Sequence, residues 1–212
     1  MRIAKQRVMI AVLTVFGIVV AGLLSPSHAA QCTHKIGSIL SLTGAYGAHG
    51  VPISRAAQLG VEQVNEARKQ LGIGCELVYD VRDSNTQASV AVDAARKLID
   101  LEGVTALVGP ISSGITAPLL SSVTVEEEIL VIATASTSST FTNMGKRGET
   151  KGLFFRTLPA DSLQAVAAAK MAYDAGFRRP AILYWNNDWG KNNQGEFVDA
   201  FRALGGKIAQ AV

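Results

Sequence analysis

Three histidines and two cysteines in 212 residues leave this chain little with which to hold a metal or run nucleophilic chemistry. A structural zinc site needs Cys and His ligands at short spacings. Two cysteines and scattered histidines do not supply them, so neither metal nor cofactor is expected. A secreted α/β hydrolase needs a Gly-x-Ser-x-Gly elbow with acid and histidine partners. Gly109-Pro110-Ile111-Ser112-Ser113-Gly114 has the wrong spacing, and neither His34 nor His49 sits in a late strand-end loop. Glycines at 44, 47 and 50 read Gly-x-x-Gly-x-x-Gly rather than Gly-x-Gly-x-x-Gly, a weak dinucleotide signal. No enzyme is expected. There is also no arginine-rich stripe, no short repeat and no low-complexity tract. The formal charge of +3 comes wholly from Arg2, Lys5 and Arg7, because residues 1–30 contain no Asp or Glu. Without them 17 basic residues face 17 acidic ones, so the pI of about 8.9 does not argue for nucleic acid or an anionic membrane.

What is present begins with a leader. The three charges precede an apolar run from Val8 to Leu24, then Ser25-Pro26-Ser27-His28-Ala29-Ala30. A positive start, an apolar middle and a small-residue cleavage site predict a secretory signal peptide over 1–30. The helix-breaking Ser-Pro-Ser argues against a retained anchor, and Gln31 before Cys32 is a poor lipidation signal. The mature chain is therefore expected to be exported, to the periplasm. In an oxidising compartment an isolated pair, Cys32 and Cys75, is expected to form a disulfide. It closes a loop of about 43 residues, for which chain entropy suggests roughly 4 kcal/mol.

From residue 35 onward, apolar runs of strand length alternate with helical patterns. Strands are predicted at 35–42, 77–81, 104–108, 129–132 and 153–156. The helix over 52–71 carries an inner stripe of Ala57, Val61, Val64, Ala67 and Leu71. A helix at about 86–101 and another running from Ser112 or Ser113 to Glu128 separate the following strands. Near-continuous apolar strands joined by helices predict a parallel sheet covered on both faces: an α/β, three-layer, doubly wound architecture. After Thr157-Leu158-Pro159 the pattern restarts, with a helix over 161–176 carrying Leu163, Val166, Ala167 and Met171. A strand at 180–185, a helix at 190–204 and a strand opening at 207 follow. The expected division is thus a first lobe over 31–157 and an incomplete second lobe over 158–212.

Ligands of doubly wound sheets collect at the carboxyl ends of the strands. Three loops there have useful composition: Gly44–Gly50 with Tyr46, Gly109–Gly114 with Ser113, and the hydroxyl-rich Thr134–Thr140. They offer hydroxyls, backbone N–H groups and an aromatic ring, but no charge. That suits a small ligand carrying its own charges. Taken singly, Ser113 reads as a helix cap and the 134–140 run as a surface loop; their meeting at one sheet edge raises the functional reading.

These residues resemble the type I periplasmic solute-binding proteins of ABC importers, in the leucine/isoleucine/valine-binding branch. The resemblance is carried by Ser41-Leu42-Thr43-Gly44-Ala45-Tyr46-Gly47, Val78–Asp83, Leu107–Ser113, Ile132–Ser138, Phe154–Pro159 and Asn186–Gly190. It implies roles residue by residue. Ser113 matches the serine that binds the ligand carboxylate. Ala135 and Ser136 line the site through backbone atoms. Thr137 bridges carboxylate and α-ammonium. Tyr46 closes over the side chain, and Trp189 faces the cleft where the family often has tyrosine. Thr134 stands where proline is frequent, which implies a looser loop.

The function so implied is the exported substrate-binding component of an ABC transporter. It would take a branched-chain-like amino acid or related small polar molecule between two lobes, as a monomer delivering to a membrane permease. The family's acidic partner for the ammonium would lie beyond Val212, so the chain is expected to be truncated and to bind weakly or not at all. The alternative from the same fold is an extracellular ligand-binding sensor or receptor module.

Overall fold

The computed structural model describes residues 32–212; the expected leader, 1–30, lies outside the described residues. Strand β1 (Thr33–Leu40) is exposed at its start and fully buried over its last four residues. It pairs in parallel along its whole length with β2 (Glu76–Asp83), Thr33 opposite Glu76. Cys32 and Cys75 stand one residue upstream of that pair. Both are disulfide-bonded and they are the only cysteines in the sequence, so they are bonded to each other. Strands β3 (Ala106–Val108), β4 (Leu130–Ala133) and β5 (Phe154–Arg156) complete an all-parallel sheet in the order β2-β1-β3-β4-β5. The order reverses between β1 and β3. That is the switch point of a doubly wound sheet, where loops leaving in opposite directions open a crevice.

The helices between these strands are α1 (Gly47–Gln70), α2 (Ala88–Asp100), α3 (Ser113–Leu119, continued by a wide turn over Leu120–Thr124) and α4 (Ser139–Lys146). One hydrophobic cluster joins Ile39, Leu107 and Val131 of the sheet to Leu98 of α2 and Leu119 of α3. Each such buried side chain contributes about 1.5–3 kcal/mol relative to exposure. Helix α2 buries Ala91, Ala95 and Leu98, at four- and three-residue steps.

Helix α1 departs from the expected pattern. It begins at Gly47 rather than 52, and only Gly50 within it is fully buried. Ala57 and Val61 are half-buried, but Val64, Ala67 and Leu71 face solvent. The cause is polar. β2 is an edge strand, whose outward N–H and C=O groups lack a neighbouring strand. Asn65 serves both groups of Leu77, donating from Nδ2 to its carbonyl and accepting its N–H, each at 2.8 Å, and Arg68 Nε donates to Cys75 O at 2.6 Å. Turning Asn65 and Arg68 inward turns Val64 and Leu71 out. Helix α4 was not anticipated; its apolar content is a Phe and a Met among polar residues, and Ser138 caps it by accepting from Thr140 N at 3.2 Å.

Beyond residue 156 come α5 (Ser162–Asp174), β6 (Ala181–Ile182), α6 (Asp188–Ala203) and β7 (Gln210–Ala211), with β6 and β7 paired in parallel as a separate small sheet. Helix α5 also reverses an expectation. Its buried residues are Ala165 and Ala169, while Leu163, Val166 and Met171 are exposed. It packs on α6, where Val198 and Phe201 are buried. Small side chains let the two helices approach closely, and the larger apolar side chains face away. No helix among the described residues is long and apolar enough to cross a membrane.

Candidate functional site

The carboxyl ends of β1, β3 and β4 each deliver a loop, and each loop is held by a different device. After β1, Asp83 at the end of β2 gathers the turn. Its Oδ1 accepts from the N–H groups of Leu42 (2.9 Å), Thr43 (3.2 Å) and Asn85 (2.8 Å), and its Oδ2 from the Thr43 hydroxyl at 2.5 Å. Burial alone would raise this carboxyl, but those four hydrogen bonds outweigh it and hold it below its ordinary value. The Thr86 hydroxyl accepts from Tyr46 N at 3.2 Å and donates to Thr43 O at 3.0 Å, fixing the base of the aromatic residue.

After β3, Gly109 has φ +99°, and a Cβ there would lie 2.4 Å from Ile39 O, so only glycine fits. The Gly109–Pro110 bond is cis. The loop then brings Ile111, Ser112 and Ser113 over the sheet end. Ser113 is buried, and its Oγ accepts from Ser138 N at 3.2 Å. After β4 the loop is pinned rather than loose. Arg156 Nη1 donates to the carbonyls of Ser136 (3.3 Å) and Ser138 (2.8 Å), and Nη2 to Thr142 Oγ1 at 2.6 Å. Burial lowers the Arg156 guanidinium from its ordinary value, and the nearby Asp161 carboxylate opposes that shift. Thr157 Oγ1 donates to Thr134 O at 3.0 Å, and the fully buried Ser136 hydroxyl donates to Pro110 O at 3.2 Å.

From the second sheet, Asn187 caps α6 by accepting from Gly190 N at 2.8 Å. A Cβ on Gly190 would meet Trp185 O at 2.0 Å, so the chain can turn this tightly only with glycine there. The turn presents Trp185 and Trp189. Trp185 lies against Tyr46 with ring centroids 6.2 Å apart and planes 28° from parallel. The Trp189 indole N–H donates to Asp161 Oδ2, which also accepts from the Thr137 hydroxyl at 2.5 Å.

A cavity of about 260 Å³ results, lined by Tyr46, Ile111, Ser112, Ser113, Ala135 and Trp189. Four of the six residues expected at the site thus share one wall system. Ser136 and Thr137 do not line it: Ser136 is spent on the loop, and Thr137 is half-buried and bonded to Asp161. Sequence reasoning missed Asp161, Arg156 and Trp185. Asp161 read as the start of a helix, Arg156 as a strand end, and only an aromatic at a strand's carboxyl end signalled Trp185. A larger cavity, about 340 Å³, is lined by α1 residues including Arg55 and Glu62 and by Tyr79 and Val81 of β2. It lies beside an edge strand, away from the strand-end loops, and none of the expected residues line it. The strand-end cavity combines hydroxyls, peptide groups and aromatic faces, which suits holding a small polar molecule.

Residues 33–212 match the sequence profile of a family described as periplasmic binding protein. The Leu/Ile/Val-binding protein BraC3 of Rhizobium johnstonii is 35% identical over 170 residues, covering 79% of this chain and 42% of that protein. Among solved structures, a leucine binding protein LivK from Thermotoga maritima superposes with a TM-score of 0.66 at 24% identity, over 84% of this chain and 49% of that one. An R. palustris ABC-transporter solute binding protein, in complex with 4-hydroxybenzoate, gives 0.68 at 23% identity, over 85% and 46%. The chain spans under half the length of these relatives. A parallel sheet with a crevice at its switch point, loops of hydroxyls and aromatics around it, and a profile match across all of 33–212 converge: the chain belongs to the periplasmic binding protein family.

Proposed function

We propose that this chain is the solute-recognising part of an ABC importer, exported by its leader to the periplasm. In this reading it takes a branched-chain-like amino acid or a related small polar molecule and hands it to a membrane permease. It acts as a monomer, without catalysis or cofactor. The supporting observation is the cavity whose lining includes Ser113, Ala135, Tyr46 and Trp189. Ser113 is suited to a carboxylate, and the rings to an apolar side chain. Residues 31–157 would form one lobe and 158–212 part of a second, with the ligand between them.

The stacking of Tyr46 on Trp185, with Tyr46 and Trp189 both lining the cavity, favours a second ligand class, aromatic carboxylates. The relative with bound 4-hydroxybenzoate supports considering it. Thermal unfolding with and without L-leucine, L-isoleucine, L-valine, 4-hydroxybenzoate and small amides separates the two. A ligand that binds only the folded chain raises its melting temperature in proportion to ln(1 + [L]/Kd). A rise with the aliphatic amino acids alone supports the first reading, and a rise with the benzoate alone the second. A melt that no compound moves would mean that the chain at this length does not form a working binding site.

A further inference from the structure

At the amino end of the sheet, opposite the strand-end cavity, two cysteines and a histidine converge. Cys32 and His34 stand two residues apart along the start of β1, so the pleat turns both side chains to one face. Lys35, the next residue, goes to the other face and pairs with Glu102 at 2.6 Å. Cys75 stands beside Cys32 by continuation of the β1–β2 register. Both sulfurs and a ring nitrogen of His34 consequently lie within 4.8 Å of one another. Ligands held tetrahedrally by zinc, at about 2.3 Å for sulfur and 2.0–2.1 Å for nitrogen, are roughly 3.5–3.8 Å apart, inside that spread. Cys32 and His34 are exposed and Cys75 is half-buried, which leaves the group open to an entering ion. Sequence spacing conceals the cluster, because Cys75 is far along the chain from the other two residues. In the oxidised chain the sulfurs are bonded to each other and offer no thiolate.

We propose that Cys32, His34 and Cys75 form a zinc site that opens when their disulfide is reduced. A dithiol is the reductant. Thiol–disulfide exchange breaks the Cys32–Cys75 bond, passes the dithiol's two hydrogens and two electrons to the cysteine sulfurs, and releases the dithiol as its own disulfide. Side-chain rotation then parts the sulfurs. The two thiols bind zinc as thiolates and release their protons to solvent, and neutral His34 binds through a nitrogen lone pair. Water takes the fourth position. Two thiolates and an imidazole are donors that suit zinc rather than the hard cations calcium and magnesium. The ion ties the start of β1 to β2 in place of the disulfide, at the end of the sheet away from the solute cavity.

The test reduces the full chain with a dithiol, removes the reagent under nitrogen, and titrates Co²⁺ followed by Zn²⁺. Reduced wild type is expected to show thiolate-to-cobalt charge transfer and the visible bands of a four-coordinate ion, both bleached by Zn²⁺. The disulfide form is expected to show neither. Zn²⁺ should raise the melting temperature of the reduced chain and leave that of the oxidised chain where it was. His34→Ala keeps both sulfurs, and its fold is checked in the oxidised form. Once reduced, it should hold Co²⁺ at least about tenfold more weakly, since a ligand counts for no less than the hydrogen-bond partners behind it. An affinity unchanged in His34→Ala overturns the three-residue site, and so does a reduced wild type without the thiolate–cobalt bands. If reduction unfolds the chain, Zn²⁺ is expected to restore its far-ultraviolet dichroism and cooperative melt. Binding without that recovery would be binding to loose thiols, and overturns the proposal.

Discussion

Ser113 lines the cavity and also holds the neighbouring loop, accepting from Ser138 N in a bond that does not use its own hydrogen. Ser113→Ala should weaken binding of a carboxylate ligand by about ten- to hundredfold, corresponding to roughly 1.5–3 kcal/mol for a hydrogen bond to a charged group. Calorimetric titration checks this, and an affinity equal to wild type would remove Ser113 from the site. Asp83 acts on the first loop and gives it a pH dependence. Its carboxyl is held below the ordinary value of 3.8 by the hydrogen bonds it accepts. Such a group contributes stability that is present above the unfolded value and is lost as pH falls through the lower folded value. Wild type should therefore be more stable than Asp83→Asn at neutral pH, with the gap closing only below about pH 4. Melting curves of both proteins against pH measure it; a gap that is independent of pH would show that Asp83 is not the titrating group.

At the scale of elements, α1 and α5 show where periodicity misleads. Both have apolar stripes at helical spacing, and both turn much of that stripe outward. In α1 the inner face goes to Asn65 and Arg68, because unpaired edge-strand backbone is costlier to leave than a few exposed aliphatic groups. In α5 it goes to alanines, because contact with α6 requires a thin face. The consequence inverts the reading from sequence. Leu163, 76% exposed, should tolerate alanine within about 0.5 kcal/mol, as surface positions do. Ala165→Leu should cost about 1–3 kcal/mol by overpacking the helix pair. Urea midpoints at constant m-value measure both, and a larger loss at 163 than at 165 would mean the stripe is covered in solution.

For the whole molecule, two features tie distant segments together. The Cys32–Cys75 disulfide sits where β1 and β2 begin, so its reduction should free the start of the sheet. The expected loss is at most about 4 kcal/mol by chain entropy, read as a lower denaturant midpoint in reductant. An unchanged midpoint would mean the reduced chain keeps the same constraint by packing alone. The second tie is polar. The Asn192 amide of α6 donates to the Ser139 hydroxyl at 2.8 Å, that hydroxyl donates to Glu196, and Thr140 Oγ1 donates to Asn192 Oδ1 at 3.3 Å. These bonds hold the loop after β4 against the helix that carries Trp189.

The parallel strands, their order of appearance, the disulfide and the strand-end loops bearing Tyr46, Ser113 and Ala135 were legible in the chain alone; Trp189 entered only through the family resemblance. They depend on local patterns: continuous apolar runs, strand-helix alternation, a lone cysteine pair, and loop composition that any doubly wound sheet brings to one edge. What folding alone decided involves partners far apart in sequence. Asp161 reaches 24 residues back to Thr137 and 28 forward to Trp189, and Arg156 reaches 18 residues back to Ser138. No local signal distinguishes an aspartate that caps a helix from one that gathers side chains from distant segments. The difference lies in which donors the tertiary structure brings within reach of its oxygens, and in the cost of burying a carboxylate that has none.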